Sequence, residues 1–176
     1  MNAFSLNYRD LLVVNGVGRW RSPVPRILLS DGMGIVTATG NGVSRVKVGD
    51  RVEPIFYPKW LEGRVAAEKM GQALGGAAAD GVLAEYMLVD QASLVHVRPH
   101  LTDEEAATLP CAGVTAWSAL IPFGDIRPGD SVVVLGTGAA YCSPSSSRSS
   151  RSPRHGHIEH RAQARARQGV RCRRRH

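Results

Sequence analysis

The sequence predicts a mainly β domain, a partial barrel, that leads into the first elements of an α/β domain and ends in a disordered tail. Three observations predict it. Short apolar runs separated by glycine turns fill the first hundred residues, the rhythm of a small barrel or sandwich. From Thr102 the texture turns helical and closes on SVVVLGTG at residues 131–138, a buried strand entering a G-x-G turn. Past Ala139 the hydrophobic pattern stops. The implied segments are 1–101 for the β domain, 102–141 for the start of the α/β domain, and 142–176 for the tail.

The elements follow in order. Residues 24–41 read as a loop and then a strand near 35–39, ended by Gly40-Asn41-Gly42, a turn that accepts positive φ without steric cost. Residues 48–56 (VGDRVEPIF) are a Gly-Asp turn feeding a second strand. Residues 84–89 and 94–97 read as two more short strands. Between them, residues 57–81 form a long loop or short helix rich in Gly and Ala, where a segment covering a site could lie. At Thr102 the string TDEE places Glu105 three residues after a threonine N-cap, the reciprocal pairing of a capping box. Pro110 should break this helix, residues 113–120 (GVTAWSAL) should form a second, and Pro128-Gly129-Asp130 should turn the chain into the strand at 131–135.

Charge divides the chain at the same place as the pattern does. Residues 1–141 carry 12 Lys and Arg against 14 Asp and Glu, whereas residues 142–176 carry ten Arg against Glu159 alone. The body is therefore slightly acidic and offers no nucleic-acid surface. The tail has no Leu, Phe, Met or Trp, too little apolar surface to offset chain ordering, so disorder is expected. Cys111, Cys142 and Cys172 are scattered, which supports neither a disulfide framework nor a zinc knuckle. No run approaches the ~18 apolar residues of a membrane span, and a cytoplasmic location is the default expectation.

Six strings occur in register: SLNYRDL (5–11), GMGIVTATGNGV (32–43), VGDRV (48–52), GVLAEYMLV (81–89), LPCAGVTAWSAL (109–120) and PGDSVVVLGTG (128–138). Together they resemble the medium-chain dehydrogenase/reductase superfamily, in its alcohol dehydrogenase-like and quinone oxidoreductase-like branch. The resemblance implies a GroES-like β domain packed on a Rossmann domain, with NAD(P) in the cleft. It implies a hydride passed to or from an alcohol, carbonyl, enone or quinone, in a protein that can be a homo-oligomer. It also begins partway into the family's first domain and ends at the first Rossmann strand and turn. The expectation is a chain truncated at both ends that does not bind the cofactor itself.

The resemblance assigns candidate residues. Zinc-using relatives place a Cys where this chain has Asn7, a His within Gly-His-Glu where it has Leu29-Ser30-Asp31, and a Cys where it has Cys111. Catalytic zinc takes three ligands from thiolate, imidazole and carboxylate, and Asn7 and Ser30 are poor ones. Residues 57–81 hold none of the four cysteines that a structural zinc would need. A zinc-independent enzyme with no metal ligands is expected. Enones and quinones need less polarisation than simple ketones, because hydrogen bonds can stabilise the product oxygen. In the family pattern Asn7 and Tyr8 face the cleft as such catalytic donors; the alternative is that both secure a turn before a helix. Thr115 matches a position beside the nicotinamide, serving catalysis and cofactor binding alike, or it bonds back to a helix carbonyl. Cys111 reads as a small buried residue, Asp50 as a turn cap, and Trp60 and Trp117 as packing aromatics.

Gly136 and Gly138 fit a tight turn approaching a pyrophosphate, but residue 141, where a third Gly or Ala belongs, is Tyr. Phosphate binding also needs the following helix, and residues 143–153 form a poor one. Three readings of residues 142–176 stand: an RNA-binding basic arm, a solvated tail without a role, and translation of a GC-rich region in a shifted frame. The abrupt break and the irregular Arg and Ser content favour the last. A non-enzymatic reading remains beside the enzymatic one: a partial GroES-like module whose basic tail binds nucleic acid or a partner. An uncovered strand at 131–135 would also favour aggregation.

Overall fold

The computed structural model of the chain describes residues 1–127. The strand at 131–135, the Gly136 and Gly138 turn and the tail lie outside the described residues. Four short strands form one antiparallel sheet in the order β1-β2-β3-β4: β1 (Ala3–Ser5), β2 (Asp31–Ile35), β3 (Arg51–Pro54) and β4 (Leu94–His96). Ala3 pairs with Met33, Gly34 with Val52, and Glu53 with Val95. Four helices accompany them: α1 (Tyr8–Val14), α2 (Ala67–Met70), α3 (Asp103–Ala107) and α4 (Val114–Leu120). This is the expected β domain with few helices.

Contacts divide the chain into two compact units, Met1–Val114 and a second that begins at Thr115. Within the first, alternation along β3 sends Val52 and Glu53 to opposite faces of the sheet. On the Val52 side, Val46, Val52 and Leu94 form a core cluster with Val36, Val43 and Val89 against it. A groove of about 840 Å³ opens there, lined by Val36, Val43, Val52, Met87 and Leu94 among others. Across the β1–β2 pair, Ala3 and Met33 pack on Ala106 and Ala107 of α3, the small side chains letting the helix approach the sheet.

Local chemistry sets the ends of α3. Thr102 Oγ1 accepts the Glu105 N–H at 3.2 Å and Glu105 Oε2 accepts the Thr102 N–H at 3.0 Å, closing the capping box. Arg51 of β3 reaches the same turn, its Nη2 2.5 Å from Asp103 Oδ1 and 2.9 Å from the Leu101 carbonyl. Arg51 and Asn2 together hold the Asp103 carboxyl below its usual range. Asp50 does serve as a turn cap: it accepts the Lys47 N–H at 3.0 Å and the Lys47 ammonium at 2.8 Å, and it pairs with His96 at 3.0 Å.

Two local expectations are corrected. The strand expected at 35–39 lies earlier, at Asp31–Ile35. Residues 84–89 join no strand of the sheet. Pro110 does interrupt the helices as expected: α3 ends at Ala107, and Leu109–Gly113 is a π-helical turn between it and α4. A proline lacks the N–H that the α ladder would need there, and the wider turn absorbs it.

Candidate functional site

The site is assembled around Asp31, the first residue of β2, which is fully buried. Its carboxylate accepts three hydrogen bonds. Asn7 Nδ2 donates to Oδ2 at 3.0 Å, Ser30 Oγ to Oδ1 at 2.9 Å, and the Cys111 backbone N–H to Oδ2 at 3.1 Å. That last N–H belongs to the π-helical turn. Burial pushes the Asp31 carboxyl up, against the downward pull of Asn7, Ser30 and Cys111. The charged form is thus made expensive by the interior and partly rescued by its donors.

Each donor is placed by its own element. Asn7 is the N-cap of α1, in extended conformation at φ −116° and ψ 154°, and its backbone N–H is taken by Asp10 Oδ2 at 2.7 Å. That frees the Asn7 amide to reach across to β2. Ser30 follows Leu29, which adopts φ 67°, a left-handed conformation costing about 1–3 kcal/mol for a branched residue. Two glycines hold it there. A Cβ at Gly75 or at Gly81 would collide with the backbone around Leu29. Hydrogen bonds from Gly81 N to Ile27 O (2.8 Å), Val82 N to Leu29 O (3.0 Å) and Leu83 N to Leu28 O (3.1 Å) lace the two segments together.

The candidates of the sequence therefore separate. Asn7 lies at the centre of the network, while Tyr8, one residue on, opens α1 with its side chain 77% exposed. Asn7 does secure the turn before a helix, and it does more by holding Asp31. Thr115 belongs to the first turn of α4, in the second unit. Cys111 is half-buried. Trp60 packs its own loop, donating Nε1–H to the Gly63 carbonyl at 3.0 Å beside Tyr57.

Two residues that sequence reasoning passed over belong to the same neighbourhood. Arg9 points into the protein, with Nη2 2.7 Å from the Leu74 carbonyl and 3.4 Å from Asp10 Oδ1. Burial lowers its pKa, opposed by Asp10, Cys111, Asp31 and Tyr57. Glu53 is 8% exposed, with Oε2 lacking a hydrogen-bond partner among the described residues. Burial, and then the charge on Asp31, raises its carboxyl to about 7. The hint in the sequence for Glu53 was an acid inside the otherwise apolar VEPIF; Arg9, beside Asn7 and Asp10, carried no such signal.

The donor set does not suit zinc. Asn7 and Ser30 offer only an amide and a hydroxyl, so of these three positions Cys111 alone carries a ligand of the thiolate, imidazole or carboxylate type that a zinc site takes three of. Among the described residues no three His, Cys, Asp or Glu side chains gather to hold a metal ion. No helix among them is long and apolar enough to cross a membrane.

Residues 1–99 match the family model of the alcohol dehydrogenase GroES-like domain. A zinc-type alcohol dehydrogenase-like protein of Schizosaccharomyces pombe is 40% identical over 142 residues, 78% of this chain and 40% of that protein. A solved NAD-dependent alcohol dehydrogenase is 33% identical with a TM-score of 0.66, over 80% of this chain and 43% of its own. A quinone oxidoreductase from Coxiella burnetii is 27% identical with a TM-score of 0.54, over 72% and 35%. The chain spans about two-fifths of the length of the curated relatives it matches. With six ordered strings, an antiparallel sheet carrying the Asp31 network and a family match over its first 99 residues, this chain belongs to the medium-chain dehydrogenase/reductase superfamily through its alcohol dehydrogenase GroES-like domain.

Proposed function

We propose that this chain carries the substrate-binding part of an NAD(P)-dependent oxidoreductase that moves a hydride between nicotinamide and an alcohol, carbonyl, enone or quinone, without zinc. One observation carries the reading. The three positions that hold metal ligands in zinc-using relatives are gathered here on a buried carboxylate, through Asn7, Ser30 and Cys111. The arrangement keeps the architecture of a metal pocket and fills it with hydrogen bonds. Polarisation of the substrate oxygen then falls to protein donors, with Asn7 and Tyr8 as candidates and Thr115 beside the nicotinamide. Gly136 and Gly138 are assigned to the pyrophosphate. The sequence after Gly138 lacks the pattern of a phosphate-binding helix, so the 176-residue chain is expected to bind NAD(P)H weakly or not at all.

The test is a chimera that joins residues 1–127 to the nucleotide-binding part of the Schizosaccharomyces pombe relative. It should oxidise NAD(P)H in the presence of an enone or a quinone, and adding or chelating zinc should leave the rate unchanged. A chimera that binds NAD(P)H but reduces no member of a panel of ketones, enones and quinones would refute the reading. Zinc-dependent turnover would refute its metal-free part.

A further inference from the structure

Two stretches of the first unit line the apolar groove with their backbones unpaired: residues 37–39, which follow β2, and residues 86–89. None of their backbone N–H or C=O groups bonds to another described residue. Side chains in the second stretch alternate, with Tyr86 and Leu88 exposed and Met87 and Val89 half-buried. Val89 packs on the cluster of Val46, Val52 and Leu94, and so does Val36, whereas its neighbour Ile35 is exposed. The period of a strand is present on both sides, without the partner that a strand needs.

The first two residues show where that partner belongs. The Asn2 N–H donates to the Met33 carbonyl at 2.8 Å, and the Met1 ammonium donates to the Glu85 carbonyl at 2.6 Å. Met1 also lies against Gly34, where an added Cβ would stand 2.8 Å from its Sδ. Asn2 and Met1 therefore bond to opposite sides, β2 on one and the stretch after Glu85 on the other, as consecutive residues of a central strand do. In this register Ala3 faces Met33, so the line of β1 prolonged beyond Met1 faces residues 36–39.

We propose that the groove is a strand-addition site. It takes an extended peptide segment of a partner protein, about five residues long at ~3.3 Å per residue, with an apolar side chain at every second position. The occupant follows from the walls. Two rows of open N–H and C=O groups match an extended backbone, whereas a helix arrives with its backbone already bonded to itself. A small apolar molecule would fill the floor of Val36, Val43, Val52 and Leu94 and leave both rows unpaired. Alternate side chains of the incoming strand fall onto that floor, and the others stand outward beside Tyr86 and Leu88. Glu85 is the only charged side chain along the groove among the described residues, so backbone pairing and shape, not charge, select the partner. The proposal is independent of the oxidoreductase reading.

The test is hydrogen exchange on the full 176-residue chain. The probe is a capped peptide of seven residues, with valine at its second, fourth and sixth positions, threonine between them and lysine at both ends. It should slow exchange of the amides of residues 37–39 and 86–89 saturably, by about tenfold or more. The same peptide N-methylated on its valines keeps every side chain and loses the donors of one edge, so it should bind about tenfold more weakly. Met87→Lys places an ammonium on the groove and should abolish the protection. If that variant fails to fold, the comparison of the two peptides decides alone. Unchanged exchange at millimolar peptide overturns the proposal, and so does equal binding of the methylated peptide. Protection of the same amides that rises with the concentration of the chain by itself gives the groove to a second copy and overturns it too.

Discussion

Asp31 has no exposure and three donors, so each donor counts. Asn7→Ala removes one hydrogen bond from a buried carboxylate and should cost about 1–3 kcal/mol, read as a lower urea midpoint with an unchanged slope. Glu53 presents the opposite case. Its folded pKa is raised from 4.5 to about 7, so the native state holds the proton more tightly than the unfolded chain. Stability from this group is complete below about pH 4.5 and declines as pH rises through 7. Glu53→Gln should therefore raise stability at pH 8 by on the order of 1–3 kcal/mol, read as a higher melting temperature, and change little at pH 4. An equal effect at both pH values would contradict this. Asn7 was marked in the sequence because the family pattern assigns its position a role. Arg9, in the same string, and Glu53 were not, because periodicity marks which face a side chain takes and is silent on whether that face is covered.

At the scale of elements, α3 was readable to the residue: Thr102 and Glu105 close the box that their spacing promised. Thr102→Ala should cost about 1 kcal/mol, checked by thermal melting, whereas Thr102→Ser should be nearly silent. β2 was misplaced because Gly32 and Gly34 look like turn residues. In the fold they are strand residues in tight quarters, where a Cβ on Gly32 would stand 3.1 Å from the Ala3 carbonyl, from Met1 and from Val82. Close packing against β1 outweighs weak strand propensity. The segment 84–89 has the residue pattern of a strand, yet its backbone is joined to β1–β4 by no ladder. Pairing depends on neighbours, which periodicity does not record. The π-helical turn was also invisible: Pro110 announces an interruption, and only the fold shows that the interruption turns an N–H toward Asp31.

For the whole molecule, charge and architecture were legible from composition and order, and the partition of charge makes a direct prediction. Because residues 1–141 are slightly acidic, any nucleic-acid binding by the chain must come from its last 35 residues. Gel retardation of duplex DNA should be absent at about 0.15 M salt, and retention there would revive the basic-arm reading. Distance along the chain is a poor guide to influence in this fold. Gly75 and Gly81 lie over forty residues from Leu29, yet neither tolerates a side chain without displacing the backbone that carries Ser30 and Asp31. Gly81→Ala should thus destabilise by about 2 kcal/mol or more and release the Asn7–Asp31 contact, visible as faster hydrogen exchange at Asn7 Nδ2. Residues 58–66 hold no glycine whose added Cβ would strike backbone, although Gly63 at φ 72° must stay, and lengthening a surface loop is thermodynamically mild. An engineer wishing to graft a new recognition sequence has a permissive stretch and a forbidden one within a single loop, and the border between them falls short of Leu74.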